Sequence, residues 1–477
     1  MPDDLHFRTL SQLARGLRDG DFSSVELTRH YLDRIDSVDP ELNAFRVVTP
    51  DLALSAAEAA DKLRSGGQVH GPLHGLPYVA KDLYDVAGLP TTAGANVLEG
   101  NLAVRDSTTV RRLREAGMVL LGKTNTVQFA YGGVGVNHDH GMPKNPWHET
   151  PHVPGGSSSG TGVAVAAGLA PMGLGTDTGG SVRIPASLCG ISGLKTTVGR
   201  VSRAGVYPLS WTLDSVGPLA RSVEDTARVY EVLSGYDADD DSTLGHMPDQ
   251  VMHVLDGDIR GMRVAFAETA FWDDADPEVV ALVRKTGDIF AALGAQVSTV
   301  PFEPAGGALA LNPGGLIIAA EAYTLNRDLV DNHFDALDPA VANRVIKGHD
   351  VAAADYLGNL RKWDGLRAGA VEAMRDIDVL LCPATMYPAH AEAEVDADPD
   401  RYSHFNLAYL RNTSIGNILG LCGLSIPCGF TEKGLPAGLM IYARPFDETA
   451  ALRVGHAFQQ ATDWHLHTPN LDWMPVG

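Results

Sequence analysis

Polar and apolar positions along this chain follow two periods, and the switches between them outline the elements. Ser23 and Ser24 precede Glu26-Leu27, and Tyr31, Leu32 and Ile35 return at helical spacing, which predicts a capped amphipathic helix. Asp51 to Arg64 repeats the period with alanines, so the first 65 residues read as helical. At Gly71 the pattern changes. Gly-Pro-Leu-His-Gly-Leu-Pro-Tyr-Val-Ala-Lys reads as a turn feeding a short buried strand, with Lys81 at the strand end where side chains emerge into a site. A helix is predicted over 107–116 and a strand over 118–122. Residues 132–160 form a glycine-rich loop region. Val163 to Ala167 read as a buried helix capped by Ser158 or Ser159, and 172–176 as a short strand.

Beyond residue 220, helices are predicted over 222–234 and 277–292 and strands over 262–266 and 377–382. Residues 303–400 are less patterned; their Ala, Gly, Pro and Asp content suggests a helical cap with loops. Residues 411–446 return to a core-like pattern. The alternation of strands and helices argues for a mixed sheet covered by helices. The 477 residues would make about three domains on a length prior of roughly 150 each, yet no linker-like break, repeat or low-complexity tract divides them.

Composition narrows the class. Charged residues are 20% of the chain and hydrophobic ones 44%, as in ordinary globular proteins. No apolar run reaches the ~18 residues of a membrane span, and Met1-Pro2-Asp3-Asp4 lacks the basic-then-apolar order of a signal peptide. The expectation is a soluble, cytoplasmic protein without membrane partners. The net charge of −22 repels phosphates, so nucleic acid is not an expected partner. Cys189, Cys382, Cys422 and Cys428 form no CxxC and sit in apolar stretches, which reads as buried free thiols.

The candidate chemistry lies in two Gly-Gly-Ser runs. Gly155-Gly156-Ser157-Ser158-Ser159-Gly160 is followed by Asp177-Thr178-Gly179-Gly180-Ser181, which places Ser157 and Ser181 24 residues apart. Serine is a poor nucleophile until its proton is removed. A lysine desolvated enough to be neutral, such as Lys81, can be the base. Ser, Ser and Lys thus suffice without histidine, metal or cofactor.

Several long motifs in one order resemble the amidase signature family. They are Gly75 to Asp82, Gly122 to Asn125, Asn145-Pro146-Trp147, Pro154 to Gly160, Gly175 to Pro185, Cys189-Gly190, Gly193 to Lys195, Ser425 to Gly429 and Gly434 to Pro436. The resemblance covers most of residues 8–460 and is weakest over 240–400. It implies an α/β fold over 1–477: one large domain with a central mixed, twisted β-sheet covered by α-helices on both faces. Within it, 1–70 is an N-terminal helical segment, 71–220 the signature core and 300–400 a variable substrate-pocket region.

The resemblance also implies roles. Ser181 is the nucleophile, Ser157 the relay and Lys81 the base. The Gly156–Ser157 peptide is usually cis in the family. Backbone N–H groups of Thr178, Gly179, Gly180 and Ser181 form an oxyanion hole, and Ser158, Asp177 and Arg183 support the site. Tyr131 and Trp211 are candidate substrate-pocket residues. The reaction implied is hydrolysis of a carbon–nitrogen bond in a small linear amide through an acyl-enzyme. Two alternatives stand beside it: the glutaminase-type A subunit of a tRNA-dependent amidotransferase, and a carbamate, urea or hydrazide hydrolase. Relatives are commonly dimers, so a homodimer is an expectation. Tyr78, Leu83, Gln128 and Met440 depart from the family pattern and bear on pocket shape.

Other features invite competing readings. His138, His140, His148 and His152 cluster, but the pattern has no zinc-protease spacing, and loop histidines are expected. The acidic run 237–241 lacks the glycine and distal glutamate of a calcium loop and is expected to be solvated. Gly173-x-Gly175 is too short for a dinucleotide fingerprint.

Overall fold

Eleven strands carry the protein's framework in a computed structural model, which describes residues 5–312 and 315–474. In chain order they are β1 (Phe45–Val48), β2 (Pro77–Lys81), β3 (Val119–Thr124), β4 (Met172–Asp177), β5 (Ser192–Lys195), β6 (Ser215–Ala220), β7 (Arg263–Ala267), β8 (Gln296–Val300), β9 (Val379–Pro383), β10 (Cys422–Phe430) and β11 (Pro436–Ala443). They form one sheet in the order β1-β3-β2-β4-β6-β5-β10-β11-β9-β7-β8. Pairs β2–β3, β2–β4, β7–β8 and β7–β9 are parallel, and the remaining pairs are antiparallel, so the sheet is mixed.

Most of these strands are buried at every position, which requires cover on both faces. Fifteen α-helices among the described residues accompany the sheet. The molecule is a single domain of α/β type with a large mixed sheet.

Many predicted elements are present. The helix Ser24–Leu42 opens with a reciprocal capping box between Ser23 and Glu26. Ser107 and Ser222 cap the helices Thr108–Glu115 and Val223–Leu233 through their side chains. Asp276 caps the helix Pro277–Ala292.

The structure corrects four readings. The first 65 residues are not all helical, because β1 adds a four-residue edge strand to β3; so short a strand shows no period. Strands β5, β6 and β8 were not foreseen. The helix Ser159–Ala166 starts where expected, but neither serine side chain caps it. Ser158 Oγ instead accepts from Thr176 N at 3.3 Å, because the helix start is packed against β4. The acidic loop is not simply solvated either: Asp237 is buried and accepts from Thr108 Oγ1 at 2.6 Å, and Asp240 pairs with Arg203 at 3.5 Å.

The less patterned stretch 303–400 is mainly helical, with Glu303–Ala310, Leu316–His333, Pro339–Val345 and Ala353–Ala373, and it contributes β9 to the sheet. All four cysteines are free and buried, and burial pushes each thiol up. Among the described residues, no helix is long and apolar enough to cross a membrane.

Candidate active site

The parallel pairing of β2 with β4 decides where the chemistry sits. Ala80 lies opposite Leu174, so the carboxyl ends of both strands open on the same side of the sheet. Lys81 is the last residue of β2, and Thr176 and Asp177 end β4. Lys81 Nζ donates to Thr176 Oγ1 at 2.9 Å and to Ser157 Oγ at 2.7 Å.

Lys81 is wholly buried, and desolvation disfavours its charged form. Burial brings its pKa down to about 7; Asp177 and Asp214 pull the other way. The amine is therefore largely deprotonated at mildly alkaline pH.

Ser157 follows a cis peptide bond from Gly156. Its carbonyl accepts from Thr126 Oγ1 at 2.9 Å and from Val127 N at 3.3 Å. Ser158 N donates to the carbonyl of Ser181 at 3.2 Å, which ties the two serine segments together. Ser157, Ser158 and Ser181 are all buried.

The loop from Thr178 to Ser181 leads into the helix Arg183–Cys189. Among the described residues, no acceptor in the chain takes the backbone N–H of Thr178, Gly179, Gly180 or Ser181. Buried donors seldom stay unpaired, and a row of them suits an incoming carbonyl oxygen. Gly180 has φ +140, and a Cβ there would come within 2.1 Å of Thr413 Oγ1. That hydroxyl donates to the Gly179 carbonyl at 2.6 Å and holds the loop from outside.

Asp177 and Arg183 meet as a two-pronged pair. Arg183 Nε donates to Asp177 Oδ2 and Nη2 to Oδ1, both at 3.0 Å, and both side chains are fully buried. Burial pushes the Asp177 carboxyl up, but the Arg183 guanidinium outweighs it and holds the group down to about 2. Arg183 Nη1 also donates to Tyr442 Oη at 2.8 Å, and Asn417 Nδ2 donates to Asp177 Oδ1 at 2.8 Å. Arg183 is thus consumed in structural contacts with β11 and with the helix Pro399–Ile418.

A cavity of about 240 Å³ opens beside Thr176 and Thr178, with Leu83, Tyr207, Leu209 and Trp211 on its walls. Trp211, one of the two candidate pocket residues, is on that wall. Tyr131 is not on that cavity wall, although Ala130 is. The Tyr131 ring is covered by the Arg344 guanidinium at 4.0 Å, and its carbonyl accepts from Arg344 Nη1 at 2.6 Å.

Sequence reasoning missed Thr176, Thr413, Asn417, Tyr442 and Asp214. Thr176 stands beside Asp177 in the Gly175 to Pro185 motif, which is the signal that could have found it. Asp214 accepts from Thr178 Oγ1 at 2.5 Å, and no local pattern marks it.

His138 is not a free loop histidine: it bridges Asp338 at 2.9 Å and Asp396 at 3.1 Å. Among the described residues, no group of three or more His, Cys, Asp or Glu is placed to hold a metal ion.

Comparison with known proteins agrees with this geometry. The Amidase family model matches residues 26–452. The A subunit of the glutamyl-tRNA(Gln) amidotransferase of Chromohalobacter salexigens is 38% identical over 98% of this chain and 99% of its own length. Its counterpart in Pseudomonas putida is 37% identical over 98% and 100%.

Solved structures align over nearly the whole chain as well. A chain from a vestigial protein complex bearing on the origins of an s-triazine catabolic enzyme superposes with a TM-score of 0.88 at 34% identity, covering 95% of this chain and 98% of its own. The peptide amidase of Stenotrophomonas maltophilia gives 0.82 at 29%, covering 97% and 98%. With the family model spanning the sheet and both Gly-Gly-Ser runs, the chain belongs to the amidase family and is a hydrolase of amide carbon–nitrogen bonds.

Proposed function

We propose that Ser181 is the nucleophile of this amidase, Ser157 the relay and Lys81 the base. The observation that carries this is the buried Lys81 Nζ at 2.7 Å from Ser157 Oγ. A neutral amine has two N–H bonds and one lone pair. Thr176 Oγ1 can take one N–H, leaving the lone pair for the Ser157 proton. Ser157 in turn takes the proton of Ser181 as Ser181 Oγ bonds to the substrate carbonyl carbon.

The oxygen that becomes negative faces the N–H groups of 178–181; one such donor is worth roughly 3 kcal/mol in a transition state. The carbon–nitrogen bond then breaks, and the leaving amine receives the proton back through Ser157. Water attacks the resulting ester, giving the acid and free Ser181. Ser158, Asp177 and Arg183 support this arrangement by fixing the serine segments and the 178–181 loop.

For the substrate, the relatives favour glutamine. Amidotransferase A subunits match at 37–38% identity over 98% of the chain, above the 28–29% of peptide amidase and 6-aminohexanoate cyclic dimer hydrolase. The glutaminase-subunit reading, with partner chains and transfer of ammonia, therefore stands ahead of a free-standing amidohydrolase acting on a small linear amide. The peptide amidase and the 6-aminohexanoate cyclic dimer hydrolase, at 28–29% identity, support a free-standing amidohydrolase. A homodimer belongs with that second reading.

A release assay decides between them. Glutamine, benzamide, an anilide, a carbamate and a hydrazide are offered to the wild type and to Ser181→Ala. Ammonia from glutamine alone supports the glutaminase reading, and turnover of another member supports the free-standing one. Activity that persists in Ser181→Ala rejects Ser181 as nucleophile.

A further inference from the structure

Trp211 is a large aromatic on a loop, 44% exposed, at the wall of the cavity beside Thr178. A side chain so placed needs its backbone fixed if it is to shape a site, and both of its neighbours are tied to one group. The hydroxyls of Ser210 and Thr212 each donate to the carboxylate of Glu321. Thr212 N donates to Glu321 Oε2 at 3.2 Å, and Tyr356 Oη donates to Oε1 at 2.6 Å.

Glu321 is wholly buried in the helix Leu316–His333, and among the described residues no Lys, Arg or His pairs with it. A buried carboxylate without a cation is costly unless hydrogen bonds satisfy it. Three of its four donors come from the two residues that flank Trp211.

The other end of the loop is tied to the chemistry. Asp214 Oδ2 accepts from Leu209 N and Ser210 N, both at 2.9 Å, while Oδ1 accepts from Thr178 Oγ1 at 2.5 Å. Arg203 Nη1 donates to the Trp211 carbonyl at 2.8 Å. The aromatic wall and the N–H loop of 178–181 are therefore parts of one hydrogen-bonded unit, and Glu321 is its anchor in the helical region.

We propose that Glu321 is a positioning residue that holds Trp211 against the cavity and so sets the bulk of the group accepted beside the scissile bond. Its location on a helix of the weakly patterned region explains how that region reaches a site built on β2 and β4. The second half of the test rests on Ser181 being the nucleophile; the first half does not.

The first measurement is tryptophan emission and acrylamide quenching of the full chain and of Glu321→Gln, each with and without Trp211→Phe to isolate the Trp211 signal. The expected result is a red-shifted, more readily quenched Trp211 in Glu321→Gln. An unchanged Trp211 signal overturns the proposal.

The second measurement is inactivation by phenylmethanesulfonyl fluoride and by methanesulfonyl fluoride, two serine reagents that differ in bulk. In Glu321→Gln and in Tyr356→Phe, the wall withdraws and the ratio of phenyl to methyl rates is expected to rise about fivefold, equivalent to ~1 kcal/mol. A ratio equal to that of the wild type overturns the proposal even if both rates drop. Labelling that survives Ser181→Ala rejects the nucleophile assignment instead, and the fluorescence result then decides the role of Glu321.

Discussion

Lys81 Nζ lies 2.7 Å from Ser157 Oγ, and both side chains are withdrawn from solvent. Burial brings the lysine down to about 7 from its ordinary value near 10.5. A base must be unprotonated to act, so kcat/KM is expected to rise with pH and level off above about 7. A flat profile from pH 5 to 8 would reject Lys81 as the base. Stability has the same sign. Between about 7 and 10.5 the unfolded chain holds a proton that the folded chain has released, so stability rises with pH across that window. Lys81→Met should remove this rise, as read from denaturant midpoints at pH 7 and pH 9.

Thr176 is the other partner of Lys81, at 2.9 Å. Its hydroxyl accepts from the lysine and so favours the charged form. Thr176→Val should move the midpoint of the pH–rate profile downward and lower kcat/KM about tenfold, roughly one charge-assisted hydrogen bond. A profile that superimposes on the wild type would show that Thr176 has no part in setting the base.

The buried Asp177–Arg183 pair should show strong coupling. Arg183→Ala leaves a carboxylate buried without its cation and is expected to cost about 3–5 kcal/mol of stability. Removing Asp177 as well should cost much less than the sum of the two single changes. Urea unfolding of the two single variants and the double variant checks this, and simple additivity would contradict it.

His138 should confer stability that fades in alkali. Its hydrogen bond to Asp338, aided by the charges of Asp338 and Asp396, raises it to about 9 despite partial burial. A group raised in the folded state contributes fully below its unfolded value of about 6.5 and loses that contribution as pH rises through about 9. The ring is 40% exposed, so solvent screening keeps the effect near or below about 1 kcal/mol. His138→Gln should be less stable than wild type at pH 6 and equal to it at pH 10.5; a gap that persists at pH 10.5 would argue against the ion pairs.

Legibility followed sequence distance. Lys81, Ser157, Ser181 and Asp177 stand in the short motifs that carry the family resemblance, which is what marks them. Arg183 stands in the same motif as Asp177, its partner six residues away. Its contact with Tyr442 spans 259 positions, and nothing near either residue announces it. Glu321 reaches Ser210 across 111 positions from a helix whose own apolar pattern is weak. The strand β1 was hidden because four residues beside helices show no alternation, and β8 because its exposed edge position leaves it no buried face to signal.

The sheet order has a consequence for synthesis. Strands β10 and β11, near the end of the chain, lie between β5 and β9. Until they emerge from the ribosome, β5 and β9 each present an unpaired edge, the kind of surface that joins other chains. Arg183 meanwhile lacks Tyr442. A chain ended after Gly420 should therefore pellet in ultracentrifugation and fail to react with sulfonyl fluorides at Ser181, while the full chain stays dispersed; a dispersed, reactive fragment would refute this. The support of Arg183, although Arg183 itself is read early, is completed only when β11 arrives, so an unfinished molecule is expected not to attack the amides around it.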